Sequence, residues 1–410
     1  MAGTGVAAAE NSPATAAKSI ERAAPVVLPF AFSLAILFFG YWTVDIVSPA
    51  LPAIQESLAM SATGAGLVFS VFFVGRLATN IPAAWMAGRL GTRWTALAGA
   101  VALLVGSLGA GLSATEMMLL PARVAQGVGT SLLATAGLMA ALRARPERGA
   151  AMTAFNMATG VGGSVGLLLG GFLTNQFGWR SIFLLSAALA SVLLLGSLLV
   201  RGRPAPTTPA RPGAADVEPV TTSRAGQAAA SVGNLLVFAN YSIWVVALPL
   251  LAAERFGFNP GQVGLLLLFV NILHVLSAVP AGRAVRRFGG TMSLAAGYGL
   301  SGLGILLVPW VPTALWLAGP LTLYAIGQMI GNVSGGDLIL RLGGGGGRAV
   351  GTVRLTSDIG LVGGPAAVGV LADAAGVTAP FMALGVVMLT GMAVAVLISW
   401  RLPPRRPGLT

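Results

Sequence analysis

Cysteine is absent from all 410 residues. That excludes disulfides, thiolate nucleophiles and zinc sites built on thiolates. Charge is nearly as scarce: 9% of the chain is Asp, Glu, Lys or Arg, against 56% hydrophobic residues, a balance far from that of a soluble globular domain. No nucleophile, base and orienting group come together in the pattern, which argues against an enzyme. A cleavable leader is not expected. The first apolar run is too long for a signal-peptide core and lacks a small-residue cleavage pattern, so it reads as a retained span. The glycine run "LGGGGGR" from Leu342 to Arg348 lacks the Gly-Lys-Ser/Thr ending and the preceding strand of a phosphate cradle, and reads as a flexible turn. No cofactor or metal is expected.

What is present is a series of apolar runs, each long enough for the roughly 20 helical residues that cross a bilayer core. Twelve are predicted, beginning near Val26, Ala62, Trp94, Met117, Ala150, Ser181, Gln227, Gly261, Thr291, Thr313, Ala349 and Pro380. The runs are continuous rather than alternating, which points to helices and not a barrel. The formal charge of +12 would suit nucleic acid, but its placement argues otherwise. Nineteen of the 24 basic residues fall in segments on one side of the predicted spans, only Arg180 and Arg255 in the opposite loops, and three inside spans. This bias places both termini in the cytoplasm, and the partners it implies are anionic headgroups rather than nucleic acid.

The second half of the chain repeats the first. Pro82, Arg89 and Gly91 recur 198 residues later (91 to 289) as Pro280, Arg287 and Gly289, and Gly162, Gly166, Gly178 and Phe183 recur at the same offset (166 to 364) as Gly360, Gly364, Gly376 and Phe381. Two homologous membrane halves facing one another make a central site that opens to alternate sides, which is the architecture of a transporter. The expected organisation is a disordered cytoplasmic segment 1–24, a six-helix bundle 25–201, a Pro-rich cytoplasmic linker 202–225, a second six-helix bundle 226–402 and a tail 403–410.

Local motifs carry a resemblance. The loop "NIPAAWMAGRLGTRW" aligns with the G-x-L-x-D-R-x-G signature of the major facilitator superfamily; Arg89 and Gly91 match its Arg and second Gly, while Ala84 replaces the first Gly and Gly88 the acid. The second-half copy "GRAVRRFG" keeps Gly282, Arg287 and Gly289 but carries Arg286 at the acidic position. Arg89, Gly91, Arg287 and Gly289 are therefore candidates for a cytoplasmic gate without its usual charge relay. "RVAQGVG" is similar to the R-x-x-Q-G pattern of proton-coupled members, with Arg123 as intramembrane cation and Gln126 as its polar partner, the alternative being an arginine that pins helices together. "GGSVGLLLGG" resembles the antiporter signature g-x-x-x-G-P-x-x-G-G at Gly162, Gly166, Gly170 and Gly171, with Leu167 at the proline position; the repeat places Gly364 and Pro365 there. Small residues at this spacing also serve close helix packing.

"VDIVSPALPAIQESL" looks like the acidic motif of drug exporters, and Asp45 is the only carboxylate well inside the first bundle. A carboxyl group in an apolar cavity is suited to taking up and releasing a proton. Asp45 and Arg123 are thus expected to couple protons, the alternative being a permanent tie of Asp45 to Arg123 or Arg76. Arg354 and Asp358, at i and i+4, either neutralise each other or face the pathway. Arg76 is a further candidate cavity cation, and His274, the only histidine, is either a relay or a packing residue. Phe38, Tyr41 and Trp42 approach Asp45, and Tyr241 and Trp244 occupy the related stretch of the second half; such rings bind lipophilic or cationic molecules, the alternative being interfacial belts or helix contacts.

The resemblance covers residues 25–402. It implies an all-α membrane protein of twelve helices in two pseudo-symmetric bundles, acting as a proton-coupled exporter of amphiphilic small molecules similar to twelve-span drug/proton antiporters. It further implies a multi-pass monomer in the cell membrane. The alternative is a transporter of an anionic or polar metabolite, which Arg76, Arg123 and Arg354 would suit.

Overall fold

The computed structural model describes residues 30–144, 148–199, 224–343 and 347–401. Among these residues there is no strand, and eleven helices are long and apolar enough to cross a bilayer, or twelve with a bent pair taken as one span. In chain order they are α1 (Phe30–Ser57), α2 (Ala62–Arg89), α3 (Thr92–Gly111), α4 (Glu116–Ala144), α5 (Arg148–Phe177), α6 (Arg180–Leu199) and α7 (Arg224–Phe256). The bent pair Pro260–Leu276 and Ala278–Phe288, at 41°, is α8. Then come α9 (Gly290–Trp310), α10 (Ala314–Leu342), α11 (Gly347–Ala375) and α12 (Ala379–Arg401). The expected starts are met within a few residues, and α7 begins at Arg224, inside the expected linker. The leading segment, most of the linker, the centre of the glycine loop and the tail lie outside the described residues.

The repeat has a backbone cause. Gly91 and its counterpart Gly289 have φ of 88° and 83°, and Gly178 and Gly376 have φ of 79° and 86°. These are the turns between α2 and α3, α8 and α9, α5 and α6, and α11 and α12, where a side chain would strain the left-handed backbone. Helix starts repeat as well: Ser61 accepts the Gly64 amide at the head of α2, and Asn259 and Gln262 form a reciprocal capping box at the head of α8, satisfying amides that have no partner within their helices.

Within each half the packing is equivalent: α3 lies against α4 and α6, and α9 against α10 and α12. Two antiparallel seams join the halves, α2 with α11 and α5 with α8. Along the first, Ala62 meets Asp373, Gly66 meets Gly369, Arg76 meets Asp358 and Asn80 meets Arg354. Along the second, Ser164 meets Asn271 and Gly171 meets Gly264. A Cβ on Gly171 would lie 2.5 Å from the Pro260 carbonyl oxygen, and one on Gly66 would collide with that of Pro365. Without side chains there, the helix backbones touch.

One end of the molecule is clasped. The Asp373 carboxylate, on α11, accepts the backbone amides of Ala62 and Thr63 at 2.8 Å each, so it caps α2 from the other half. A carboxylate there also opposes the positive end of the helix dipole. Asp373 is exposed, in a cleft it shares with Glu56 and Glu254. Deeper in, α1 breaks into a short 3-10 turn at Ser48–Ala50 and α7 into a π-helical turn at Ile243–Ala247. Ser48 Oγ donates to the Val245 carbonyl at 2.9 Å, so the two breaks meet. Toward the opposite end α5 and α8 present exposed Met157, Val161, Val275 and Leu276, and a Cβ on Gly160 would meet nothing within 4 Å.

Asp373→Ala is expected to remove about 1 kcal/mol from the clasped arrangement, roughly a fivefold change in population. Spin labels on cysteines at Ala114 and Thr313, one in each half at the clasped end, should then gain a longer-distance component. An unchanged distance distribution would show that the cap does not hold the halves together.

Candidate functional site

The middle of the molecule holds the charges that the sequence places inside spans. Asp45 sits on α1, one turn past Tyr41 and Trp42 and just before the helix breaks. It is 9% exposed, and Tyr241 on α7 donates its phenol to Asp45 Oδ1 at 2.8 Å. The bond joins the two halves. Neither Arg123 nor Arg76 is tied to the carboxylate, so the permanent ion pair weighed from the sequence does not form here.

Arg123 belongs to a different network. Fully buried on α4, it donates from Nε to the Val68 carbonyl (3.1 Å) and from Nη1 to Gln126 Oε1 (2.7 Å), while Gln126 passes a hydrogen bond to Ser107 at 2.9 Å. Its guanidinium lies 4.6 Å from the Phe72 ring centroid and 5.8 Å from that of Phe69. Arg123 thus fastens α4 to α2 and α3, and its Nη2 has no hydrogen-bond partner. Permanent charge stays at such depth only with partners of this kind.

Arg76 is the cation that reaches across. Its Nε lies 3.9 Å from Asp358 Oδ1 on α11, and its guanidinium is 5.8 Å from the Tyr41 ring centroid and 5.9 Å from that of Phe73. Asn80, one turn further along α2, donates to Asp358 Oδ2 at 2.6 Å and accepts from Ser131 Oγ at 3.0 Å and Arg354 Nη2 at 3.3 Å. Arg354 and Asp358 therefore face α2 with different partners instead of neutralising each other, because the seam supplies Arg76 and Asn80 to the pair. Asn80 and Ser131 went unrecognised as site residues; the only signal was a polar amide one helical turn after an intramembrane arginine.

The rings pair within their own helices. Phe38 lies 6.1 Å from Trp42, and Tyr241 meets Trp244 edge-on at 5.1 Å. Both indoles are buried, and neither ring nitrogen has a hydrogen-bond partner. His274 occupies the repeat position of Arg76 on α8 (76 to 274), a helix that packs against α10.

The remaining candidates are helix-end and packing residues. Arg89 and Arg287 are exposed at equivalent helix ends, each over an aromatic ring of its own helix end: Trp85 at 5.5 Å and Phe288 at 5.3 Å. Gly91 and Gly289 form the adjoining turns. Gly162, Gly166 and Gly170 lie on the α1 backbone at Phe38, Trp42 and Ile46, Gly364 lies on α7 at Ala239, and Gly171 faces α8. Pro365 turns its carbonyl to Gly66 across the seam.

Because Asp358 is 2% exposed, Arg76→Ala should leave a buried carboxylate with Asn80 as its remaining donor, costing about 2 kcal/mol in unfolding from detergent, reduced from larger buried-pair values by the partial exposure of Arg76. Adding Asp358→Asn should restore more than half of that. Purely additive single effects would show no coupling.

The family model described as Major Facilitator Superfamily matches residues 30–232 and 230–410. The "Putative multidrug resistance protein MdtD" of Yersinia pseudotuberculosis is 33% identical over 176 residues, 41% of this chain and 38% of that protein. "Multidrug resistance protein Stp" of Mycobacterium tuberculosis is 32% identical over 165 residues, 40% of this chain and 31% of that protein. The matched region is thus less than two-fifths of either relative. A solved POT family transporter in complex with a thioalcohol conjugated peptide superposes with a TM-score of 0.70 at 17% identity, covering 93% of this chain and 96% of that one. A peptide transporter POT in complex with sulfate gives 0.72 at 15%, covering 92% and 94%. At these identities the structural likeness concerns the fold. With two half-chain matches, twelve spans and a repeated bundle, the chain belongs to the Major Facilitator Superfamily of membrane transporters.

Proposed function

We propose that this chain is a secondary transporter that exports amphiphilic small molecules in exchange for protons, by alternating access between its two halves. The observation that carries the reading is the Asp45–Tyr241 contact: a buried carboxylate with a neutral phenol partner, at the junction of the halves. An acid so placed changes its surroundings whenever the halves separate, which is what coupling a proton to a conformational change requires. Phe38, Tyr41, Trp42, Tyr241 and Trp244 offer apolar and cation-receptive faces around it. The multidrug names of the partial relatives point the same way.

A second reading, transport of an anionic or polar metabolite, rests on Arg76, Arg123 and Arg354. Two observations weaken it. Arg76 is matched by Asp358, and Arg123 is committed to Val68 and Gln126. Displacement of a bound cationic dye, set against displacement of an organic anion, separates the two.

The basic helix ends at Arg89, Arg93, Arg283, Arg286 and Arg287 lie opposite the Asp373 clasp, and the positive-inside bias supports a reading with the clasp at the outer face of the cell membrane and both termini in the cytoplasm. The chain would then rest with its outer side closed, as a monomer. Cysteines introduced at Thr208 and Asp216 should be labelled only from the cytoplasmic side; labelling from outside would overturn the orientation.

Asp45→Asn should preserve folding and some ligand binding but abolish accumulation driven by an imposed pH gradient in proteoliposomes, because the amide keeps the shape and cannot cycle a proton. Wild-type accumulation in this variant would remove Asp45 from the coupling step.

A further inference from the structure

The glycines of α5 do not all serve the same purpose. Extra carbon on Gly162, Gly166 or Gly170 would run into the backbone of α1 at Phe38, Trp42 and Ile46, and on Gly171 into that of α8. Gly163 differs. A Cβ there would collide with Asp45 Oδ2, the next nearest atom being Asp45 Cγ at 3.6 Å. The only obstacle is the carboxyl group itself. Its other oxygen, Oδ1, accepts the Tyr241 phenol at 2.8 Å, so the carboxyl is held between a bare stretch of α5 and a donor from the opposite half.

From this geometry we propose that Gly163 is a positioning residue for the coupling acid: its missing side chain is the seat that aims the Asp45 carboxyl at Tyr241. The proposal rests on the reading of Asp45 as proton carrier. Gly163 and Asp45 belong to the same half, whereas Tyr241 belongs to the other. When the halves separate, the seat travels with the acid and the donor leaves. Gly163 therefore sets the carboxyl's orientation throughout the cycle, and Tyr241 engages it only while the halves are joined at this level. The next residue, Ser164, accepts a hydrogen bond from Asn271 of α8 at 2.8 Å, so the same turn of α5 that seats the acid also touches the second seam. Gly163 lies outside the glycine spacing that resembles the antiporter signature, since that pattern runs through Gly162, Gly166, Gly170 and Gly171.

The test is Gly163→Ala beside Gly160→Ala, Asp45→Asn and Tyr241→Phe, all reconstituted as full-length chains. Gly160→Ala is the control, because a Cβ there meets nothing within 4 Å. Gly163→Ala should melt within about 2 °C of wild type, since only a movable carboxyl stands in the way of the methyl group. Its pH-gradient-driven accumulation of a cationic dye should fall about tenfold, with the midpoint of its pH profile displaced by roughly half a unit or more. The carboxyl infrared band of Asp45, identified as the band lost in Asp45→Asn, should shift in Gly163→Ala and not in Gly160→Ala. Because the seat acts through the Tyr241 contact, Gly163→Ala should add little to Tyr241→Phe in the double variant. A Gly163→Ala chain with the wild-type pH profile and an unmoved band overturns the proposal, as does one that fails to fold. If Asp45→Asn still accumulates dye under a gradient, the proton-carrier reading fails instead, and the infrared band alone then decides whether Gly163 seats the carboxyl.

Discussion

Contact between helix backbones across the two seams is the constraint on which the rest of the structure depends. Helices come that close only where a side chain is missing from at least one of them, and in lipid no apolar driving force would otherwise hold two greasy surfaces together. Gly66 and Gly369 supply this on the α2/α11 seam, Gly171 and Gly264 on α5/α8. Once the backbones meet, the few polar side chains nearby fall within reach of the opposite half. Asp373 finds the head of α2, Asp358 finds Arg76 and Asn80, and Asn271 finds Ser164.

The seams are equivalent by the repeat but not alike in chemistry. Both seams have glycine contacts, but α2/α11 adds ionic and charge-assisted ones, whereas among the described residues α5/α8 adds the neutral Asn271–Ser164 hydrogen bond. Arg76 and His274 stand at matching positions, yet Arg76 is a guanidinium that reaches Asp358 of the other half and His274 is an imidazole. Symmetry of the backbone is thus combined with asymmetry of the charges. The energy separating two arrangements of such a protein need be only a few kcal/mol, within range of the contacts gathered on the first seam.

Much of this was legible in the sequence. Twelve spans follow from apolar run length, and the two-bundle plan from Pro82, Arg89 and Gly91 recurring as Pro280, Arg287 and Gly289. Their recurrence records turns that need a left-handed residue, which is why glycine survives at Gly91 and Gly289 while lipid-facing neighbours differ. The site was legible in its members and not in its pairings. Asp45, Arg76, Arg123 and Asp358 stand out because charge is rare in these spans. Who meets whom depends on the register of helices hundreds of residues apart, so Arg123 turned inward to Gln126, and Arg76 instead of Arg354 met Asp358. Gly163 and Asp373 were missed for the same reason: a glycine among glycines and an acid at a helix end look ordinary until the opposing surface is known.

The π-helical turn at Ile243–Ala247 has a kinetic side. A π turn holds one more residue than an α turn, and such an excess can be handed along a helix without unfolding it. Passing it toward the start of α7, beyond Tyr241, would restore α geometry at Val245, withdraw the carbonyl that Ser48 holds, and turn the part of α7 that it crosses by about 100° around the helix axis. Tyr241 lies on that part. A local change of helical pitch would then rotate the phenol away from Asp45 while both bundles stayed intact, so that uncovering the acid and parting the halves are two events with separate rates, not one.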